Sequence, residues 1–261
     1  MRRISAILTL LFLLPAYINA GAQTYFTSTE VGIAIGGSQY FGDLNEKRGL
    51  NTLSAAGGIY ARKHLNQFIS VKLLANYTSV GYDDKYNTAP YQKERNLNFK
   101  SDVYEVAMQA EFNFFRFVTG DPYHRFTPFL TGGIGAFYYD PYTTLNGTKY
   151  FLRPLGTEGQ FSGFANRKYT NVGVCVPIGI GVKVWVKGGV NLTLELADRL
   201  TRTDYLDDVS TTYVGASKFP STSVAYQLQD RSPETGLTTP LGRPGKQRGN
   251  TSSFDQYMLV L

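Results

Sequence analysis

In 261 residues there is one cysteine, one tryptophan and two histidines. Cys175 has no partner for an internal disulfide, and its place on the small-residue face of a strand makes it an interior filler. His64 and His124 beside a single cysteine rule out Cys/His metal-ligand spacing. The formal charge of +6 is spread without a basic run, and nothing in it calls for nucleic acid. Beyond residue 22 no apolar window approaches the roughly 20 residues of a membrane-crossing helix. The glycine runs Ile35-Gly36-Gly37 and Thr131-Gly132-Gly133 fall in strand-like stretches, not before a helix, which argues against a phosphate loop.

The first 22 residues read as a secretory signal. Arg2 and Arg3 form a positive start, Ile4 to Leu14 is a short apolar run, and Ala20-Gly21-Ala22 fits the small-residue cleavage rule. No cysteine follows the cleavage site, so no lipoprotein anchor is expected. Removing Arg2 and Arg3 lowers the formal charge from +6 to +4.

What the chain does have is tyrosine (19), phenylalanine (17) and glycine (27). The pattern is clearest in Asn171–Arg199. Val172, Val174, Val176, Ile178, Ile180, Val182 and Val184 share one parity. Gly173, Cys175, Gly179, Gly181, Lys183 and Trp185 share the other. After Lys187-Gly188-Gly189 the alternation resumes, with Leu192, Leu194 and Leu196 opposite Asn191, Thr193 and Glu195. A soluble sheet packs its apolar face inward and shows water a polar one. Here the aliphatic face runs unbroken for about 12 residues, longer than the roughly 9–11 of a tilted transmembrane strand. The reading is an all-β, eight-stranded antiparallel up-and-down transmembrane barrel, apolar toward lipid and polar inside.

The same alternation predicts strands at Glu30–Tyr40, Leu53–Arg62, Phe68–Tyr82, Val103–Phe117 and Phe126–Tyr139, two more in the hairpin, and an eighth over Phe254–Leu261. Asp83–Ser101 and Asp140–Tyr169 are expected to be loops, and Leu200–Ser253 a longer one. Short links alternate with long ones. In outer-membrane barrels the short turns are periplasmic and the long loops face outward. This places both chain ends in the periplasm and the protein in the outer membrane, with lipid around it.

Lys72, Lys183 and Arg199 fall on the inward parity, as do Glu105, Glu111 and Glu195, with Arg62 at a rim. Isolated buried charges cost several kcal/mol, so a paired network that plugs the narrow lumen is expected instead of a pore. Both histidines fall in expected periplasmic turns with no Ser-acid set beside them, so no catalytic residue is assigned and an acyl-transferring enzyme is disfavoured. No cofactor is called for. Asp204, Asp207 and Asp208 can hold a hard cation such as calcium; the competing expectation is a solvated acidic loop, or one paired with Arg199 and Arg202. Two loop motifs stand out: Leu152, Arg153, Pro154, Gly156, Thr157, Glu158, Gly159 and Gln160 in LRPLGTEGQ, and Asp204, Tyr205, Asp207 and Asp208 in DYLDDVSTTY. Loops this long carry function or are disordered. Their Pro, Gly and aliphatic content predicts ordered lids that pack on each other over the barrel mouth.

These strings, together with GGSQYFGDLN (Gly36–Asn45), YEVAMQAEFNF (Tyr104–Phe114), TPFLTGGIGAFYYDP (Thr127–Pro141) and RTDYLDDVSTTY (Arg202–Tyr213), resemble the PorG-like family of outer-membrane barrels in Bacteroidota. The resemblance spans about residues 30 to 250. It implies a non-enzymatic subunit of the type IX secretion system, associated with the periplasmic ring formed by the PorK lipoprotein and PorN. It supplies no catalytic residues. Members usually finish on a full strand with a terminal aromatic, whereas this sequence stops at Leu261. A last strand that continues past it is expected, with a shortened seam as the other possibility. A surface adhesin or ligand-binding barrel is the alternative function.

Overall fold

The computed structural model describes residues 28–45, 52–251 and 254–261. The expected signal segment, and residues 46–51 of the first outer loop, lie outside the described residues. The strands are β1 (Thr29–Phe41), β2 (Ser54–His64), β3 (Ile69–Asp83), β4 (Asn98–Asn113), β5 (Phe126–Leu145), β6 (Thr148–Phe151), β7 (Val172–Lys187), β8 (Val190–Thr201) and β9 (Gln256–Val260). Two short helices, α1 (Pro90–Arg95) and α2 (Val224–Gln229), sit in the long loops. Antiparallel pairing runs β1-β2-β3-β4-β5-β7-β8-β9 and returns from β9 to β1, which closes an eight-stranded barrel. β6 is an appendage folded back on β5. Among the described residues no helix is long and apolar enough to cross a membrane.

Period-two alternation sets the two faces of the wall. Val31, Ile33 and Ile35 are 78–79% exposed, and Ile59, Leu73, Met108, Ile134, Ile178, Ile180, Leu192 and Leu194 continue the apolar outer surface. Their inward neighbours are mostly glycine, alanine or polar, with Leu74 and Pro177 among the exceptions. Tyr77, Tyr104 and Tyr138 are direct cross-strand partners, and their rings follow one another at 5.2 and 6.5 Å along the upper edge of this surface. Phe68, Phe112, Phe114 and Phe126 are exposed along the lower edge. From Tyr104 to Phe114 the strand climbs roughly 34 Å, or roughly 24 Å of height at a tilt near 45°. That matches the apolar band of about 25 Å that crosses an outer membrane between aromatic girdles.

The strands differ from the sequence expectation mainly above the tyrosine row. β4 covers Asn98–Asn113, not Val103–Phe117, because Asn98 to Asp102, polar apart from Phe99, find ladder partners in Ser79–Asp83 on one side and Asp140–Tyr142 on the other. The expected loop from Asp140 instead begins as six more residues of β5, then a tight hairpin into β6. Asn146 and Gly147 form its turn with φ of 50° and 80°, the double positive-φ geometry that Asn-Gly favours. Asp83–Ser101 is not plain loop, since it contains α1. The β5–β7 ladder skips Gly133–Ile134 opposite Val176–Pro177, where Pro177 has no N–H to donate.

β9 is short. It pairs with β1 over Gly37–Phe41 and with β8 over Leu196–Leu200, and Glu195 and Leu261 exchange two further backbone bonds of 2.7 and 2.9 Å. The principal hydrophobic core does not lie mid-barrel. Tyr40, Leu44, Val80, Tyr82, Leu97, Phe99, Tyr139, Leu152, Leu206, Val209, Leu228 and Tyr257 pack at the mouth.

Candidate functional site: a charge-filled lumen under a packed cap

The lower lumen holds the inward charges. The Glu111 carboxylate is the hub: Arg62 Nε lies 2.8 Å from it, Lys183 Nζ 2.5 Å and Lys72 Nζ 3.5 Å. Lys72 also pairs with Glu195, and Lys183 donates to Asn113. Higher up, Arg199 sits 3.3 Å from Glu105, which also accepts a bond from the Tyr257 hydroxyl. The six charges on inward parity therefore all engage in pairs. Arg62 is not a rim residue: it is 1% exposed and bridges Glu111 to Glu30, 2.6 Å away. Counting Arg62 and Glu30, four cations face four carboxylates. Each such ion costs several kcal/mol to desolvate, and only close pairing offsets that.

Two members escaped the sequence reading. Glu30 shares the inward parity of Gly32 and Ala34, so alternation alone could have found it. His64 was expected in a turn and is instead the last residue of β2, facing inward and 3% exposed. Its Nδ1 is 2.8 Å from Ser70 Oγ and its Nε2 is 3.3 Å from Glu30 Oε2. A Ser-His-acid chain thus exists, contrary to expectation, because β1, β2 and β3 bring the three residues together. It is sealed: Ser70 is fully buried and Phe117 lies 6.1 Å from the imidazole. The second histidine, His124, is in the expected turn and bonds Asp121 at 2.7 Å.

Above the lumen the long loops form a cap. Gly156 and Gly159 adopt positive φ (62° and 82°) and curl LRPLGTEGQ so that Glu158 turns inward. Its carboxylate accepts from the Ser210 and Thr211 backbone amides at 3.0 and 3.1 Å, from the Thr211 hydroxyl at 2.6 Å, and from Arg248 at 3.2 Å. Gln160 bonds the Glu158 amide, and Leu152 joins the mouth core. Arg153 approaches Asp140 at 4.0 Å, and Pro154 is exposed. From the other motif, Asp208 takes the Tyr169 hydroxyl at 2.6 Å and that of Thr157 at 2.5 Å. Tyr205 stacks on Tyr169 at 4.6 Å, with Tyr139 a third parallel ring. Arg248 also donates to the Asp208 carbonyl at 2.7 Å, and Arg95 of α1 reaches the carbonyls of Arg248 and Asp43. The two motifs are therefore parts of one packed body that also includes residues near 230 and 250.

The cation loop does not form. Asp204 turns to Ser210, Asp207 to the Tyr40 hydroxyl and the Val209 amide, and Asp208 to Thr157 and Tyr169. Among the described residues no three such ligands gather for a metal. The competing expectation fails as well, for Arg199 is committed to Glu105 and Arg202 is exposed. Burial raises these carboxyls. Asp43 and Asp204 are pushed up to about 7, with Asp204 adding repulsion at Asp43, Asp207 at Asp204 and Glu158 at both, and Asp208 to about 6 against the pull of Arg248. Asp207 and Asp255 share the Tyr40 hydroxyl at 2.7 and 3.0 Å and are raised well above the ordinary range by burial, with repulsion from Asp43 at Asp207 and from Asp207 at Asp255.

A closed wall with an apolar belt, a charge-paired interior and a packed outer cap define an eight-stranded barrel of the outer-membrane type. The chain belongs to the family described as domain of unknown function DUF6089, whose model matches residues 5–216. No enzyme family is indicated. No curated protein matches the sequence. Among solved structures, the chain is similar to Ail, the attachment invasion locus protein of Yersinia pestis, solved in complex with the heparin analogue sucrose octasulfate. Identity is 9% and the TM-score 0.37, covering 65% of this chain and 85% of that chain. A likeness this distant fixes no function.

Proposed function

We propose that this protein is a non-enzymatic outer-membrane subunit of the type IX secretion system that associates with the periplasmic ring and its lipoprotein, the PorK/PorN-like components. The strings resembling the PorG-like family support that role. Their residues Thr157, Glu158, Asp207 and Asp208 are buried and build the cap. The observation that supports the non-enzymatic part is the occupied lumen: among the described residues, paired charges fill the lower interior, the mouth core and cap lie above them, and Ser70 and His64 of the Ser-His-acid chain are buried. In this reading the long loops face outward, and the short turns at Leu65–Gln67, Thr119–His124 and Gly188–Gly189 face the periplasm.

Mild-detergent extraction and pull-down of the tagged barrel from cells tests the role. Recovery of the ring protein and its lipoprotein, with loss of secreted cargo on deletion, is the expected result. Recovery of neither, with secretion intact, would replace it with the adhesin or ligand-binding reading.

A further inference from the structure

Above the tyrosine row, β3, β4 and β5 continue outward, and their outer faces change from aliphatic to polar in layers fixed by register. Ser79, Asp102 and Asp140 form the first layer, then Gly81, Lys100 and Tyr142 with Phe151, then Asp83, Asn98 and Thr144 with Lys149. All of these residues except Asp102, Asp140, Lys149 and Phe151, which flank it, line a groove of about 640 Å3, together with Lys85, Tyr86 and residues 52–54. Gly81 is the small residue in this lining, and a Cβ there would lie 2.6 Å from the Phe99 carbonyl oxygen of the neighbouring strand.

We propose that this groove binds the phosphorylated sugar headgroup of an outer-leaflet glycolipid. Ring faces beside paired donors and acceptors suit a sugar, whose faces are apolar and whose rim is hydroxyl. Tyr142 and Phe151 pack edge-on at 6.0 Å with Lys149 held 3.4 Å over the Tyr142 ring, and Lys85 pairs with Asp83 at 2.8 Å. Lys100 differs from these. It is exposed in the central layer and forms no ion pair among the described residues, which leaves its ammonium for an anionic substituent. Position selects the source of that anion. The central layer is four residues beyond the tyrosine row, roughly 13 Å along the strand, at the level of headgroups and not of acyl chains. Outward-facing Ser79, Gly81, Lys100 and Tyr142 put the groove on the outside of the wall, where a lipid stands, and inward-facing Tyr82, Phe99 and Thr143 complete its lining.

The proposal rests on the outward orientation given above but not on any secretion partner, so loss of ring association leaves it standing. The test is native mass spectrometry of the full-length barrel in detergent with a diphosphorylated lipid A glycolipid, its dephosphorylated form, its deacylated headgroup and phosphatidylglycerol. Lys100→Glu is expected to weaken retention of the diphosphorylated glycolipid at least tenfold, and Tyr142→Ala severalfold. Removing the phosphates should mimic Lys100→Glu. Heat-modifiable migration confirms that each variant still forms the barrel, and Thr144→Trp, which fills the groove from an exposed position, serves if either does not. Equal retention by wild type and variants, or of phosphatidylglycerol and glycolipid alike, would mean an unselective lipid belt and overturn the proposal. So would loss of binding on deacylation with no effect of the phosphates.

Discussion

Arg248 and Glu158 lie ninety positions apart in sequence and meet at 3.2 Å beneath the cap, both almost fully buried. Glu158 brings the loop between β6 and β7 and Arg248 the segment just before β9, so this contact ties the last outer loop to the LRPLGTEGQ motif. Arg248→Met would leave Glu158 buried without its cation, and breaking such a pair costs about 3–5 kcal/mol. The expected outcome is proteolytic cleavage of the outer loops at protease levels that spare wild type, with the barrel core still resistant. Wild-type resistance of the loops in the variant would show that the pair does not hold the cap.

Charge removal inside the lumen should act on the whole barrel. Arg62→Met leaves Glu30 without its guanidinium and takes one of three cations from Glu111, and a loss of about 3–5 kcal/mol in urea unfolding from detergent is expected. The double variant Arg62→Met/Glu30→Gln should recover part of that loss, because Glu30 is the carboxylate left without its guanidinium, whereas Glu111 keeps Lys183 and Lys72. A single-variant cost below 1 kcal/mol would mean that water, not ion pairing, balances this interior.

The cap should loosen as pH rises. Asp43 and Asp204 titrate near 7 and Asp208 near 6 in the folded cap, against about 4 for an unfolded aspartate. The folded state holds more protons, so the contribution of these groups is full below about pH 4 and is lost as pH climbs through 6 to 7. Amide exchange over Leu206–Val214, corrected for its intrinsic pH dependence, should show less protection at pH 8 than at pH 5. Equal protection would place the titrating groups elsewhere.

The outer wall offers a test of the lipid-facing assignment. Met108 lies near the middle of the apolar band on β4, and Met108→Arg should cost about 2–4 kcal/mol in lipid. The inward Ala107 has no room for a larger side chain, so it is not a usable control. Ser79→Arg, above the tyrosine row, should cost less than 1 kcal/mol by the same measurement.

At the opposite end, Tyr123 is 92% exposed on a turn that Asp121 rigidifies by accepting from the Tyr123 amide at 2.9 Å. Exposed Lys63, Arg116, Arg125 and Lys187 surround the same rim, and none forms an ion pair among the described residues. Tyrosine and arginine dominate interface hot spots, at about 2 kcal/mol or more each. If the secretion ring docks here, Tyr123→Ala with Arg116→Glu should reduce its co-purification on the order of tenfold or more. An unchanged yield would move the contact off this rim.

The barrel was legible in the sequence because its determinant is local. Successive strand residues point to opposite faces, so Val172 to Val184 declares a lipid face and Lys183 or Glu195 an interior without reference to any distant residue. The same rule held for Glu30, which only needed to be counted. The Asn146-Gly147 turn was equally local and was there to be read. Tertiary structure decided what lies across space. Which carboxylate meets which cation depends on closure, which brings Lys72 of β3 to Glu195 of β8 and Lys183 of β7 to Glu111 of β4. His64 reads as a turn residue until β2 extends by two positions, and only then do Ser70 and Glu30 become its partners. Asp204, Asp207 and Asp208 look like cation ligands in sequence. In the cap, hydroxyls and amides from β1 and the loops reach them first, and a buried carboxylate bonded in this way has no geometry left to share with its neighbours. Alternation along the chain therefore determined the wall and its two faces, while the pairing of charges and the assembly of the cap waited on contacts between segments that no local pattern connects.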